Sequence, residues 1–473
     1  MKTKSYTFLW IILILNVIIS PLFIPNGGLI GDIQHYVRLA YYLPDVKWSL
    51  YPLGYPFFLR AFYTIASDYY WAGRLINILC FTAIGLFAYL KNFHFKETVI
   101  LLCAKIFIYS YFNILSEGIF LCLMYFLFYI LYQYFYGQKR KQLVLTGSLL
   151  MILLFSIRYS ALYIYFALCI YYVFYYFSKL KQQNVAFFKA SYFWFLFFSG
   201  AGIFLYALFN YLNFGDVMGE GFRNPSDLKL FTEEFYIAVF GFFNAFNPVL
   251  AIKSVKLTLR ALAVELFLLI INFICIGYFV KISKNYFRKT RDFYFYGLII
   301  FIGISYLLLI FLSSFYQGID NMDMRILCEG SFCFFYVFIF IYYKEKYNEK
   351  IIFCAAVFSF VFNTIYAIKI PKFYLTQKYE VEKKLGDIGN KKYFFDDIGD
   401  HEDNGYKIPL TNKIVRYNNP YVQSGFINAY IIMTKYPQIY ILLDESTVNN
   451  KELIIYNSQL QNAANNEHKP DKK

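Results

Sequence analysis

Charged residues are scarce in this chain. Asp, Glu, Lys and Arg make up 16% of its 473 positions, where a soluble domain carries about a quarter. With 59% hydrophobic residues and a mean hydropathy of +0.46, the shortage excludes an ordinary soluble protein and implies a polytopic membrane protein. Paired cysteines are missing too. The eight cysteines, at 80, 103, 122, 169, 275, 328, 333 and 354, stand singly in or beside apolar runs, so there is neither a C-x-x-C motif nor a zinc spacing, and they read as small core residues. No repeat of fixed period is visible. The first apolar run lacks a small-residue cleavage site and reads as a retained helix.

Apolar segments and aromatics are abundant instead, with 57 Phe and 49 Tyr. A bilayer core needs roughly 20 apolar residues per helix, and the runs give about eleven spans, near 6–24, 71–90, 98–113, 117–136, 143–158, 160–177, 190–211, 260–280, 293–314, 327–343 and 351–369. A net charge of +15 would suggest nucleic acid in a soluble protein, but here the cations sort by loop. With the N-terminus inside, eighteen Lys and Arg fall on short cytoplasmic connections, QKRK at 138–141 and KISKNYFRKTR at 281–291 among them. The opposite loops hold acids such as Asp32, Asp45, Asp68, Glu117, Asp216, Glu220, Asp320 and Asp323. Topology accounts for the basicity with no nucleic acid as partner.

The expected fold is an all-α polytopic membrane domain over 1–370, followed by a small C-terminal α/β exterior domain over 371–473. Strand-like stretches in that tail are YIIMTKYPQIYILLDES and KELIIYNSQ. The first exterior loop, 25–70, is expected to hold juxtamembrane helices. At helical spacing Asp32, His35, Tyr36 and Leu39 share a face, and YPLGYPFFLRAFYTI is short and carries Pro52 and Pro56. The Gly-rich, acidic exterior loop at 212–235 reads as a lid, and NAFNPVLAIKSVKL after it as an interfacial segment.

Ionisable residues converge on the exterior face. Asp32 follows the first span, Glu117 sits in the second exterior turn, Arg158 ends the fifth span, and Asp323 and Arg325 precede the tenth. A lone loop acid is ordinarily solvated and a lone interfacial arginine snorkels. Two acids and two arginines at one level suit transfer from a lipid phosphate, because charges at membrane depth are costly and face a cavity or bundle interior.

These residues also carry a resemblance. G-D-x-x-x-Y-x-x-x-A at 31–40, P-x-G-Y-P at 52–56, R-L-x-N at 74–77 and S-E at 116–117 resemble the GT-C membrane glycosyltransferases. The branch they are most similar to holds the dolichyl-phosphate-mannose protein mannosyltransferases and the bacterial aminoarabinose transferases of lipid A. The resemblance covers about the first 160 residues, and D-M-R at 323–325 extends it in outline. It implies a GT-C-like fold with Asp32 as catalytic base and Glu117 as a supporting acid. It further implies a polyprenyl-phosphate-linked sugar donor, a lipid, glycan or protein acceptor, and no certain cofactor, a divalent cation being left open.

The residues fit that chemistry. A polyprenyl phosphate leaves as an anion without protonation, so one carboxylate suffices to take the acceptor proton and the transfer is inverting. Arg158 and Arg325 are the candidates for gripping phosphate, with Asp323 beside them and Tyr36 and Tyr55 as sugar-stacking candidates. Two rivals are a polysaccharide polymerase or ligase, which calls for an Arg-rich exterior loop where this chain has only Arg223 at 212–235, and a lipid-linked substrate transporter, which calls for midplane charges where only Lys105 and Glu265 qualify. The Lys-, Asn-, Ile- and Phe-rich composition points to an AT-rich bacterial genome. The expected location is thus a bacterial inner membrane, N-terminus cytoplasmic, with active site and tail periplasmic or extracellular.

Overall fold

The computed structural model describes residues 3–24, 27–29, 32–46, 49–137, 141–223, 225–226, 228–250, 258–290, 292–318, 322, 324–368 and 373–386, with short pieces between 393 and 456. It divides into two compact units. One holds Met1–Ile18, Lys47–Tyr55 and Asn77–Ala367; the other holds Ile19–Val46, Pro56–Ile76 and Ile368–Lys473.

Sixteen helices are described: α1 (Thr3–Ile19), α2 (Ile33–Tyr42), α3 (Gly54–Ala66), α4 (Tyr69–Leu90), α5 (Phe95–Leu102), α6 (Lys105–Phe112), α7 (Ser116–Tyr136), α8 (Lys141–Ile157), α9 (Ala161–Tyr175), α10 (Ser191–Phe214), α11 (Glu233–Asn244), α12 (Leu259–Lys289), α13 (Phe293–Ser313), α14 (Met324–Lys344), α15 (Glu349–Ile368) and α16 (Tyr374–Gly386). Among the described residues nine of them, α1, α4, α7, α9, α10 and α12 to α15, are long and apolar enough to cross a membrane. The chain is a multi-pass helical membrane protein.

Two of the eleven expected spans look different. The eighth helix is apolar but only 17 residues long. The run at 98–113 is not one helix: Ala104 is extended, with ψ 148°, and separates α5 from α6, eight residues each. The cause is a loop from far along the chain, described with the site below.

In the first exterior loop α2 and α3 form as two short helices. The third helix keeps Pro56 in its first turn, where the missing N–H has no intrahelical partner to lose. In the tail β1 (Tyr393–Phe395) pairs in parallel with β4 (Ile454–Tyr456), and β2 (Ile408–Leu410) pairs antiparallel with β3 (Lys413–Val415). The strand-like stretch at 430–446 lies largely outside the described residues.

Contacts inside the first unit sort the helix ends into two levels. At one, the starts of α7 and α14 meet the end of α8 through Glu117, Arg325 and Arg158, and Tyr163 near the start of α9 hydrogen-bonds Ser313 at the end of α13, 2.6 Å apart. At the other, Lys344 at the end of α14 pairs at 2.8 Å with Asp292 before α13, and Tyr6 of α1 reaches Tyr343 at 2.8 Å. Partial burial works against the charged form of Asp292, but hydrogen bonds from Lys344 and Tyr286 hold its carboxyl below the usual range. Between these two levels α5 and α6 together make one pass through the first unit, from Lys96, which pairs with Glu349, to the turn before Glu117. Reporters active on one side only, fused after Lys141 and after Lys372, are therefore expected to give opposite signals. Equal signals would mean that an even number of crossings separates the two points and that α8, only 17 residues long, does not cross.

The central span is α14. Its span window is 83% buried, against 17% for α12, so α12 presents most of its surface outward. Close approach of α13 and α14 depends on small residues: a Cβ on Gly330 would meet Leu307 at 2.5 Å, which is why that position beside Glu329 is glycine.

Candidate active site

Four charged side chains meet at the first level. The Arg158 guanidinium, just past α8, donates from Nη1 to Glu117 Oε1 at 2.5 Å and from Nε approaches Glu329 Oε1 at 3.1 Å. Arg325 Nε lies 3.9 Å from the same oxygen of Glu117. The Cys328 thiol donates to the other oxygen of Glu329 at 3.1 Å, and Ser116 Oγ to Glu117 Oε2 at 3.4 Å.

Burial makes this an unusual arrangement. Glu329 is 0% and Glu117 2% exposed, while Arg158 and Arg325 keep 16% and 13% of their side chains accessible. Two carboxylates balance two guanidiniums, so the cluster is neutral, which permits it at this depth. The acids form the inner wall and the arginines present the open side.

Glu117, Arg158 and Arg325 were expected to converge, and they do. Glu329 was not foreseen. Its signal was a single acid inside an apolar run, C-E-G at 328–330, and an acid within a span is by default a functional residue. Asp323 lies outside the described residues.

The R-L-x-N residues have separate tasks. Asn77 Nδ2 donates to the carbonyls of Tyr111 at 3.1 Å and Asn113 at 2.7 Å, and Tyr111 OH donates to Gly118 O at 2.7 Å. Together they fix the turn between α6 and α7 that carries Glu117. In the other unit, Arg74 donates to the carbonyl of Gly27. Gly27 has φ +57°, and a Cβ there would strike the Tyr374 ring at 2.7 Å, so only glycine suits the position.

Asp32 and Tyr36 belong to this second unit. Asp32 is half-buried and immediately precedes α2, whose buried face holds Ile33, Tyr36, Val37 and Ala40. Burial lowers the pKa of His35 below its usual value, against the pull of the Asp32 carboxylate. His35 is thus neutral near pH 7, and the stability tied to its neutral form is lost as the pH falls through the ordinary imidazole range. Tyr36 is 4% and Tyr55 0% exposed, so both rings are packed inward. Tyr55 belongs to the first unit; elsewhere in the second, Asp68 accepts from the Tyr70 amide at 2.7 Å and from Lys378 Nζ at 2.6 Å. The Lys378–Asp68 pair docks α16, and within that helix Lys378 also holds Glu382 at 2.6 Å.

The acidic loop after α10 is closed on itself. Asp216 takes the amides of Met218, Gly219 and Glu220 on one oxygen and that of Gly221 on the other, at 2.6–3.1 Å. Desolvation opposes its charge, but the hydrogen bonds from Gly221, Glu220, Gly219 and Met218 hold its pKa below the usual carboxylate value. Arg223 Nη1 donates to Gln317 at 2.9 Å, tying the loop to the end of α13.

The segment after α11 enters the gap between α5 and α6. Buried Lys105 donates through Nζ to Asn244 O at 2.8 Å, Asn244 Oδ1 at 3.2 Å and Leu250 O at 2.8 Å, and its amide to Pro248 O at 3.2 Å. From α15, Ser359 donates to Pro248 O at 3.1 Å and Asn363 to Val249 O at 2.6 Å. Irregular backbone survives at this depth only when its carbonyls are satisfied by protein. Of the stretch expected at the interface, residues 244–250 are thus packed within the protein, between α5, α6 and α15. Lys105→Met is expected to leave three acceptor contacts unmade, at about 1–3 kcal/mol for each buried acceptor without a donor. Protease cleavage within 244–250 would report the loss, and unaltered protection would show that Asn363 and Ser359 suffice.

Among the described residues no group of three or more His, Cys, Asp or Glu is placed to hold a metal ion. Comparison of the chain with protein-family models, with curated proteins and with solved structures finds no match.

Proposed function

We propose that the protein is an inverting glycosyltransferase of GT-C type, moving a sugar from a polyprenyl-phosphate donor to an acceptor at the exterior face of a bacterial inner membrane. The observation that carries this reading is the neutral cluster of Glu117, Glu329, Arg158 and Arg325, in which two partly accessible guanidiniums are aimed by buried carboxylates. Guanidiniums bind phosphate oxygens in pairs and stabilise the charge of a leaving phosphate. Asp32 takes the proton of the acceptor hydroxyl as its oxygen attacks the anomeric carbon. The lysine-bearing helix ends face the cytoplasm and the tail lies outside.

A transporter would use a broken span as its binding site. The break between α5 and α6 is filled by residues 244–250, which favours the transferase. The test is reconstitution in liposomes with a panel of polyprenyl-phosphate hexoses and pentoses and envelope glycolipid and protein as acceptors. Labelled sugar should appear on an acceptor as free polyprenyl phosphate accumulates. Donor crossing the bilayer unchanged, without transfer, would replace this reading by transport.

A further inference from the structure

The outward face of α12 changes character once along its length. Phe267, Ile270, Ile274 and Tyr278 follow at steps of three and four residues and are 62%, 61%, 65% and 45% exposed, which makes one apolar stripe. The same steps lead on to Lys281, Lys284 and Arg288, all exposed, while Ile282, Ser283 and Tyr286 are buried. With 31 residues, α12 is about 46 Å long, well beyond the roughly 30 Å of a hydrocarbon core, so these cations fall where headgroups begin. Lys289, next in sequence, is paired with Glu345 at 2.8 Å. Among the described residues Lys281, Lys284 and Arg288 have no such carboxylate.

Beside the stripe lies a partly open cavity of about 70 Å³, lined by Phe246, Cys275, Tyr278, Phe279, Phe334 and Phe338 among others. Tyr278 belongs to both features: it lines the cavity and stands one turn before Lys281.

We propose that this face holds one anionic phospholipid, its acyl chain along the stripe and into the aromatic cavity, its phosphate against Lys281, Lys284 and Arg288. A soluble anion would leave the apolar stripe and cavity without a role, and a zwitterionic lipid would leave three cations uncompensated. Tyr278 at the junction matches the depth at which an amphipathic ring sits between chain and headgroup. The site is at the opposite end of the first unit from Arg158, on the level of Lys344 and Asp292, so it is separate from the donor-phosphate cluster and stands whether or not the protein transfers sugar.

The test uses the full-length protein in detergent, titrated with phosphatidylglycerol or phosphatidylcholine and followed by thermal melting. Phosphatidylglycerol should raise the Tm well above the phosphatidylcholine value. The triple variant Lys281→Gln, Lys284→Gln, Arg288→Gln should lose that difference, with an apparent affinity for phosphatidylglycerol lower by on the order of 100-fold, while Lys289→Gln keeps it. Glycerol 3-phosphate, which has the anion but no chain, should leave the Tm unchanged. Because the three cations are exposed, the variant's Tm in detergent alone should match wild type. Equal stabilisation by the two lipids, persistence of the preference in the triple variant, or equal stabilisation by glycerol 3-phosphate would each overturn the proposal.

Discussion

An Asp32→Asn protein is expected to transfer sugar about 10²- to 10⁴-fold more slowly than wild type, the range for a lost general base, while binding the donor as before. Asparagine keeps the size of the side chain and most of its hydrogen bonding but cannot take up the acceptor proton. Asp45, which follows α2 in the same unit, is the control, and Asp45→Asn should turn over normally. A transfer assay beside a donor-binding assay separates loss of chemistry from loss of structure. Near-normal transfer by Asp32→Asn would remove the base and with it the proposed mechanism.

The second large effect is expected at Arg158. Removing it by Arg158→Ala leaves Glu117 and Glu329, 2% and 0% exposed, without the cation that contacts both. Breaking a buried pair in this way costs about 3–5 kcal/mol. Two consequences distinguish this from a snorkelling arginine. Adding Glu329→Gln to Arg158→Ala should restore much of the stability, because the stranded charge is gone, yet donor binding should stay weak. Arg158→Lys should recover charge but only part of the binding, since an ammonium cannot reach Glu117 and Glu329 from two edges of one plane. Denaturant titration in mixed micelles reads stability, and retention of a polyprenyl-phosphate sugar reads binding. A variant within about 0.5 kcal/mol of wild type, the usual effect of a surface change, with donor affinity unaltered, would reduce the cluster to interfacial decoration.

The parts of this site that were legible in the sequence are those that punctuate it. Glu117, Arg158 and Arg325 interrupt long apolar runs at helix ends, so alternation of spans alone puts them at one level. Glu329 escaped because fewer than two turns of α14 precede it and it stands among residues that mark a span rather than its boundary. The break after α5 escaped for a different reason. KIFIYSYF continues the apolar run without Gly or Pro, and the groups that fill the gap, Asn244, Pro248 and Leu250, lie about 140 residues further on. No local pattern encodes a partner so distant. Tyr36 and Tyr55 show the converse limit: composition offers many aromatics as sugar platforms, but only packing shows that these two rings are enclosed.

The segment at 244–250 also fixes an order of events during synthesis. It emerges after Lys105 but before Ser359 and Asn363, whose donors complete its carbonyl set. Until α15 has followed, Val249 lacks its Asn363 amide, and the segment can rest on Lys105 alone. The unit therefore closes late, by a contact between parts of the chain more than a hundred positions apart, and such closure is slow relative to the formation of individual helices. A nascent chain halted before Glu349 should leave this segment open to protease, and release of the halt should protect it.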